Sequence, residues 1–295
     1  MQIQTITNQS TPVSHRGGIT ALNKLNPIAV YADRYFARVA DSSSARIEPL
    51  VPALAGKVNK IRFNNISAWD INPNNRREYI LFLHGMSQCV SNYQSLYETI
   101  LGKGKAVFAL EYRGYGENEK GNSTEGNLHK DVSQAYNYLT KIKGIDSQDI
   151  TIIGHSMGGA LATHFASKHK DIKALVLISP LTKMSFLGNK FTSHKALGVG
   201  APQSLIDITK RIKPLSWLYD LKFNSISKIP KIKTPIFYLQ SDNDSVTTLS
   251  GAEAFVQKSR EQGILRQFRR FPAGGHKVDS SKIKAIAEIL DEIYT

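Results

Sequence analysis

Short apolar runs of strand length alternate along the chain with segments whose apolar residues recur at helical spacing. From about Lys57 the runs occupy residues 61–69, 79–84, 106–111, 150–154, 174–179 and 235–240, with a strand-like run at 265–271. Helix-period segments lie between several of them, at 93–101, 128–142, 157–168 and 252–262. The chain closes on 283–293, where Ile283, Ile286, Ile289, Leu290 and Ile293 recur every three or four positions. Strands alternating with helices predict an α/β fold, a mostly parallel, doubly wound sheet covered on both faces.

Two stretches depart from this alternation. Residues 1–56 carry Pro12, Pro27, Pro49 and Pro52 around a single predicted helix at 28–39, and read as an N-terminal extension of the main domain. Residues 181–233 separate two strands by about fifty residues where a crossover needs far fewer. An insertion of that length is commonly a lid over a site. The domain therefore divides into a core at 57–180 and 234–295 and an insertion between them.

Charge sharpens the second departure. The chain holds 38 Lys and Arg against 24 Asp and Glu, a formal +14. The insertion contributes ten of those cations against only Asp207 and Asp220, a net +8. Such an excess suits acidic partners, yet no nucleic-acid module accompanies it, so nucleic acid is not expected and a solvated basic surface accounts for most of it. No run of 18 apolar residues is present, which excludes a spanning helix. The first ten residues lack the basic and apolar regions of a cleaved signal peptide, so a cytoplasmic location, or delivery without such a peptide, is expected. Cys89 is the lone cysteine and forms no internal disulfide.

The chemistry concentrates at Gly154-His155-Ser156-Met157-Gly158-Gly159, a G-x-S-x-G sequence directly after a predicted strand and opening a predicted helix. A serine on so sharp a turn sits in strained backbone, and side chains at 154 and 158 would collide with strand and helix. Serine needs a base, and the base an orienting acid. In this motif's context both follow in the chain, acid first. Of the later histidines, His164 and His169 lie on the helix after the turn and His194 lies in the insertion. His276 lies in the glycine-rich loop Pro272-Ala273-Gly274-Gly275-His276, after a strand-like run, and is the expected base. Asp242 and Asp244 compete as acid beyond the strand at 235–240. Asp244 is preferred because it lies far enough out to turn towards the histidine loop, whereas Asp242 is expected to cap the turn through its own backbone amides. Gly85, after the strand at 79–84, would let the amide of Met86 point into the site, where it would join the amide of Met157 as an oxyanion hole. No histidine spacing suggests a metal site.

These blocks resemble the α/β-hydrolase-fold serine hydrolases over roughly four-fifths of the chain. Glu111-Tyr112-Arg113-Gly114-Tyr115-Gly116 is similar to the family's D-x-R-G-x-G turn, with Glu111 in place of the usual aspartate. The segments Ser123 to Leu128 with Asp131, Ile178 to Leu181, and Phe223 to Ser225 leading to Lys228 and Ile229 resemble a narrower branch. That branch holds monoacylglycerol lipases, lysophospholipases and protein-depalmitoylating thioesterases. The resemblance implies an α/β-hydrolase fold with a lid or cap after the sixth strand, hydrolysis of acyl esters or thioesters, and no metal or organic cofactor. The expected substrate is a small acyl ester or lipid. Peripheral contact with an anionic membrane through the insertion is the corresponding partner. A peptidase and a catalytically silent binding module on the same scaffold are the alternatives.

Overall fold

The computed structural model of the chain describes residues 4–5, 48–63, 66–118, 123–183 and 223–295. The predicted helix at 28–39, His194 and most of the insertion lie outside the described residues, so the proposed extension and lid rest on sequence. Nine strands form one sheet among the described residues: β1 (Gln4–Thr5), β2 (Val58–Phe63), β3 (Ile66–Ile71), β4 (Tyr79–Leu83), β5 (Ala106–Glu111), β6 (Ile150–His155), β7 (Ala174–Ile178), β8 (Ile236–Ser241) and β9 (Leu265–Phe271). Their spatial order is β1-β2-β3-β5-β4-β6-β7-β8-β9. The pairings from β1 through β3 to β5 are antiparallel, and those from β5 to β9 are parallel.

The run at 61–69, read from its apolar content as one strand, is two. β2 and β3 pair antiparallel with Phe63 opposite Ile66, so the run divides at residues 64–65, which lie outside the described residues. Counting from β2, since β1 is a two-residue addition at the edge of the sheet, the segment 181–233 follows the sixth strand, β7.

Among the described residues five α-helices cover the sheet: α1 (Gln94–Gly102), α2 (Glu125–Asn137), α3 (Met157–Ala166), α4 (Leu249–Glu261) and α5 (Ser280–Ile293). Alternation along the strands assigns them to faces. In β4, Leu81 and Leu83 pack in one cluster with Leu128, Leu161 and Phe255 of α2, α3 and α4, while Ile80 and Phe82 pack in the other with Tyr97 of α1 and Ile286 and Leu290 of α5. Every residue of β4 to β8 is buried, as a sheet covered on both faces requires. None of the helices among the described residues is long and apolar enough to cross a membrane.

Helix ends differ from the periodic reading where a cap, not an apolar residue, sets the boundary. The side chain of Asp279 accepts from the amide of Lys282 and starts α5 at Ser280, three residues before its first isoleucine. Thr248 and Thr124 cap α4 and α2 in the same way. Arg113 and the buried Asp131 meet through Nε and Nη2 at 2.9 and 2.5 Å, fastening the turn after β5 to α2.

The two ends of the insertion meet. The amide of Ser225 donates to the carbonyl of Thr182 at 2.9 Å, and the Ser225 hydroxyl donates to the carbonyl of Leu181 at 2.9 Å. The amide of Leu181 in turn donates to the carbonyl of Ser156. The insertion therefore leaves and rejoins the core beside the turn that carries Ser156.

Candidate active site

Four loops at the C-terminal edge of the parallel strands converge, the usual place for a site in an open α/β sheet. Ser156 stands between β6 and α3 with φ 53° and ψ −117°, a conformation that side chains other than glycine rarely adopt. The surroundings over-determine it. A Cβ at Gly158 would overlap the carbonyl of Leu83, and one at Gly154 would lie 2.5 Å from the carbonyl oxygen of Gly158. Strand, turn and helix thus approach to backbone contact, and only glycine fits at both positions.

His276 reaches this turn from the loop after β9. Its Nε2 lies 2.8 Å from Ser156 Oγ and its Nδ1 lies 2.9 Å from Asp244 Oδ2. Asp244 Oδ1 accepts the amides of Val246 and Thr247 at 2.8 and 2.9 Å, and Oδ2 accepts the Thr247 hydroxyl at 2.9 Å. Burial alone would raise this carboxyl's pKa. The His276 hydrogen bond and charge, with the two amides, outweigh it and hold the group well below the usual carboxylate range. An ionised Asp244 accepts only, so His276 carries its proton on Nδ1 and presents a bare Nε2 to the serine hydroxyl.

Asp242 is not the turn cap that the sequence suggests. Its side chain is exposed and pairs with Arg270 Nε of β9 at 2.7 Å. Asn243 does the joining instead: its Oδ1 accepts the amide of Gly275 at 2.9 Å and ties the Asp244 loop to the His276 loop. His164 lies half-buried on α3, its ring stacked 3.5 Å from that of His129, and the ring of His169 stacks 3.9 Å from that of Phe165. Neither approaches Ser156 through any bond among the described residues.

Gly85 lies against the serine turn, where a Cβ would meet Ser156 Cβ at 3.3 Å and His155 Nδ1 at 3.2 Å. Met86 and Met157 are buried and follow Gly85 and Ser156 directly. As the first residue of α3, Met157 has an amide without an intrahelical acceptor. Cys89 is buried against Ser91 and Asn92, and burial raises its thiol pKa. Among the described residues no three His, Cys, Asp or Glu side chains group as metal ligands do.

A second buried network, invisible in the sequence pattern, runs behind the first. His155, within the serine motif, is 2% exposed; its Nε2 lies 2.8 Å from the carbonyl oxygen of His276 and its Nδ1 lies 2.7 Å from the hydroxyl of Tyr93. Burial, then the charge of His276, drives its pKa from 6.5 to about 3, so the ring is neutral. A carbonyl only accepts, so Nε2 bears the proton, and Nδ1 faces the Tyr93 hydroxyl, whose hydrogen also has Gln88 Oε1 as an acceptor within reach. The Tyr93 oxygen also receives the amide of Gly85 at 3.1 Å. Thr247 was equally missed, although its place three residues after an aspartate matches a common side-chain-to-backbone turn.

Residues 74–216 match the model of a family described as serine aminopeptidase, S33. The chain is 26% identical over 215 residues to the alpha/beta hydrolase domain-containing protein WAV2 of Arabidopsis thaliana, covering 72% of this chain and 68% of that protein. Among solved structures it resembles an esterase of Pyrococcus furiosus, with a TM-score of 0.68 at 20% identity over 85% of this chain and 97% of the other. A monoglyceride lipase of Saccharomyces cerevisiae follows the same fold, with a TM-score of 0.61 at 17% identity over 85% and 98%.

The neutral His155 gives the site a pH signature. Its native pKa is depressed below 6.5, so its contribution to stability is present above 6.5 and lost as the pH falls from there towards 3, where the unfolded chain binds a proton that the native chain refuses. Replacing it by Gln should lower the pH slope of unfolding free energy in that window by up to about 1.4 kcal/mol per pH unit. Urea titrations of parent and variant at several pH values measure this, and parallel slopes would contradict the assignment.

Proposed function

Because the chain has the α/β-hydrolase fold, we propose that it is a serine carboxylic-ester hydrolase acting on acyl esters of lipid type, such as monoacylglycerol or lysophospholipid. The observation that carries this reading is the unbroken row Ser156–His276–Asp244, with bonds of 2.8 and 2.9 Å ending on a strained, half-buried serine. His276 Nε2 takes the proton of Ser156 as its oxygen attacks the acyl carbonyl. Asp244 keeps the imidazole in the tautomer that accepts this proton and stabilises the imidazolium. The tetrahedral oxyanion forms next to the amides of Met157 and Met86, donors of a type worth about 3 kcal/mol of barrier each. His276 then returns its proton to the leaving alcohol, and water activated by the same ring releases the acyl group from Ser156.

An acyl-protein thioesterase would use the same groups, and the sequence segments shared with depalmitoylating enzymes favour it as the second reading. A peptidase is less well supported, although the matched family is described as an aminopeptidase. The insertion carries ten cations and two aspartates, a poor composition for holding a substrate's free amine. The same composition, interleaved with residues such as Phe186, Phe191 and Trp217, suits an anionic lipid surface from which acyl chains enter the site.

Three measurements follow. Ser156→Ala should abolish fluorophosphonate labelling and lower turnover of a p-nitrophenyl ester by about 10³-fold or more; undiminished labelling would put the reactive nucleophile elsewhere and end the reading. Asp244→Asn should cost far more turnover than Asp242→Asn, since only the first forces the wrong tautomer on His276. Converting Lys190, Lys195, Lys210 and Lys213 to Gln should weaken binding to anionic vesicles at low salt while hydrolysis of a small neutral ester stays nearly intact. Raising the salt should remove the difference as charges are screened beyond about 8 Å.

A further inference from the structure

Lys282 violates two local rules at once. It is 0% exposed, although lysine is among the residues least often buried. It also stands in the first turn of α5, where the helix end is itself positive and disfavours a cation. Burial lowers its pKa, with the charges of Asp279 and Asp244 opposing that shift. A group kept under these conditions is held by its bonds, and all of them go to one loop. Nζ donates to the carbonyl of Gly275 at 3.1 Å and to that of Lys277 at 2.7 Å, and lies 3.7 Å from Asp279 Oδ2. The carbonyl between those two is that of His276 itself, and it is taken by His155 at 2.8 Å.

Three consecutive backbone carbonyls, 275 to 277, are thus each met by a buried side-chain donor from elsewhere in the fold. Gly274, at φ +103°, wraps the loop around this anchor so closely that a Cβ there would overlap Asp279 Oδ2 and lie 3.2 Å from Nζ. The residue between the clasped carbonyls is the one whose ring must lie within hydrogen-bond reach of both Ser156 and Asp244. No strand or helix holds it, for β9 ends at Phe271 and α5 begins at Ser280.

We propose that Lys282, together with His155, is a positioning residue for His276, clamping the loop backbone so that the imidazole stays at the serine. This rests on the esterase reading above. Lys282 touches no reacting atom; it acts through the backbone of the base. Misplacing a reactive group by about 1 Å costs up to about 100-fold in rate, which sets the scale of the effect.

The test compares the full-length parent with Lys282→Met, which keeps length and loses all donors, and Lys282→Arg, which keeps donors. The readouts are kcat and KM on a p-nitrophenyl ester, thermal unfolding, and the downfield proton NMR resonance of the His276 Nδ1–H, identified by its loss in Asp244→Ala. For folded Lys282→Met the expectation is a fall in kcat of about 10- to 100-fold, KM within about twofold, and a shifted or exchange-broadened downfield resonance. Lys282→Arg should recover part of kcat and the resonance. A folded Lys282→Met with kcat within about twofold of the parent and an unchanged resonance overturns the proposal. If Lys282→Met does not fold, His155→Leu decides by the same limits, because it removes the third clasp and leaves Lys282 in place. An inactive parent with a normal downfield resonance would instead count against the esterase reading, since the resonance reports the position of His276 without turnover.

Discussion

Backbone contact between β4 and the serine turn is the constraint on which the rest of the structure depends. Gly158 lies against the carbonyl of Leu83 and Gly154 against that of Gly158, with no room for a methyl group at either. This contact forces Ser156 into its positive φ and starts α3 directly behind it, so the helix N-terminus faces the serine. It also brings Gly85 within reach of Ser156 and, through Tyr93, links the end of β4 to His155. The strain at Ser156, of order 1–3 kcal/mol, persists because the parallel pairing of β4 and β6 holds both sides of the turn.

The partners of Ser156 are held differently. Asp244 is fixed by local geometry, for Val246 and Thr247 lie two and three residues further on and supply amides and a hydroxyl. His276 is held by two groups distant in sequence, Asn243 on its loop's amide and His155 on its carbonyl, and by Lys282 from the start of the next helix on the carbonyls either side. A neutral histidine and a buried lysine serve this purpose because each donates to carbonyls that would otherwise be desolvated without partners. The site therefore has two layers, a row that includes the serine and a set of donors that keeps the row's central ring in place.

Much of this was legible in the chain. Alternation of apolar runs with helical periods identified the α/β class, and G-x-S-x-G between a strand and a helix located the serine, because steric demands at a sharp turn leave a local imprint of glycines. The order of acid before base narrows the partners to the Asp242–Asp244 loop and the His276 loop, which the structure places beside Ser156. The run at 61–69 was misread because apolar content continues through a hairpin, and the start of α5 was placed late because Asp279, not an isoleucine, begins it.

Residue type and spacing by themselves determined the fold class, the strained turn at Ser156 and the pair of loops that meet it, since each depends on interactions between residues near in sequence. Only the tertiary structure turns Asp242 towards Arg270 and Asp244 towards His276. Only it gave His155, Tyr93 and Lys282 their places, because a buried donor's partner lies 121 residues away in one case and across a helix end in another. Such pairings leave no periodic trace in the chain, since they arise from the sheet's strand order and not from any local preference.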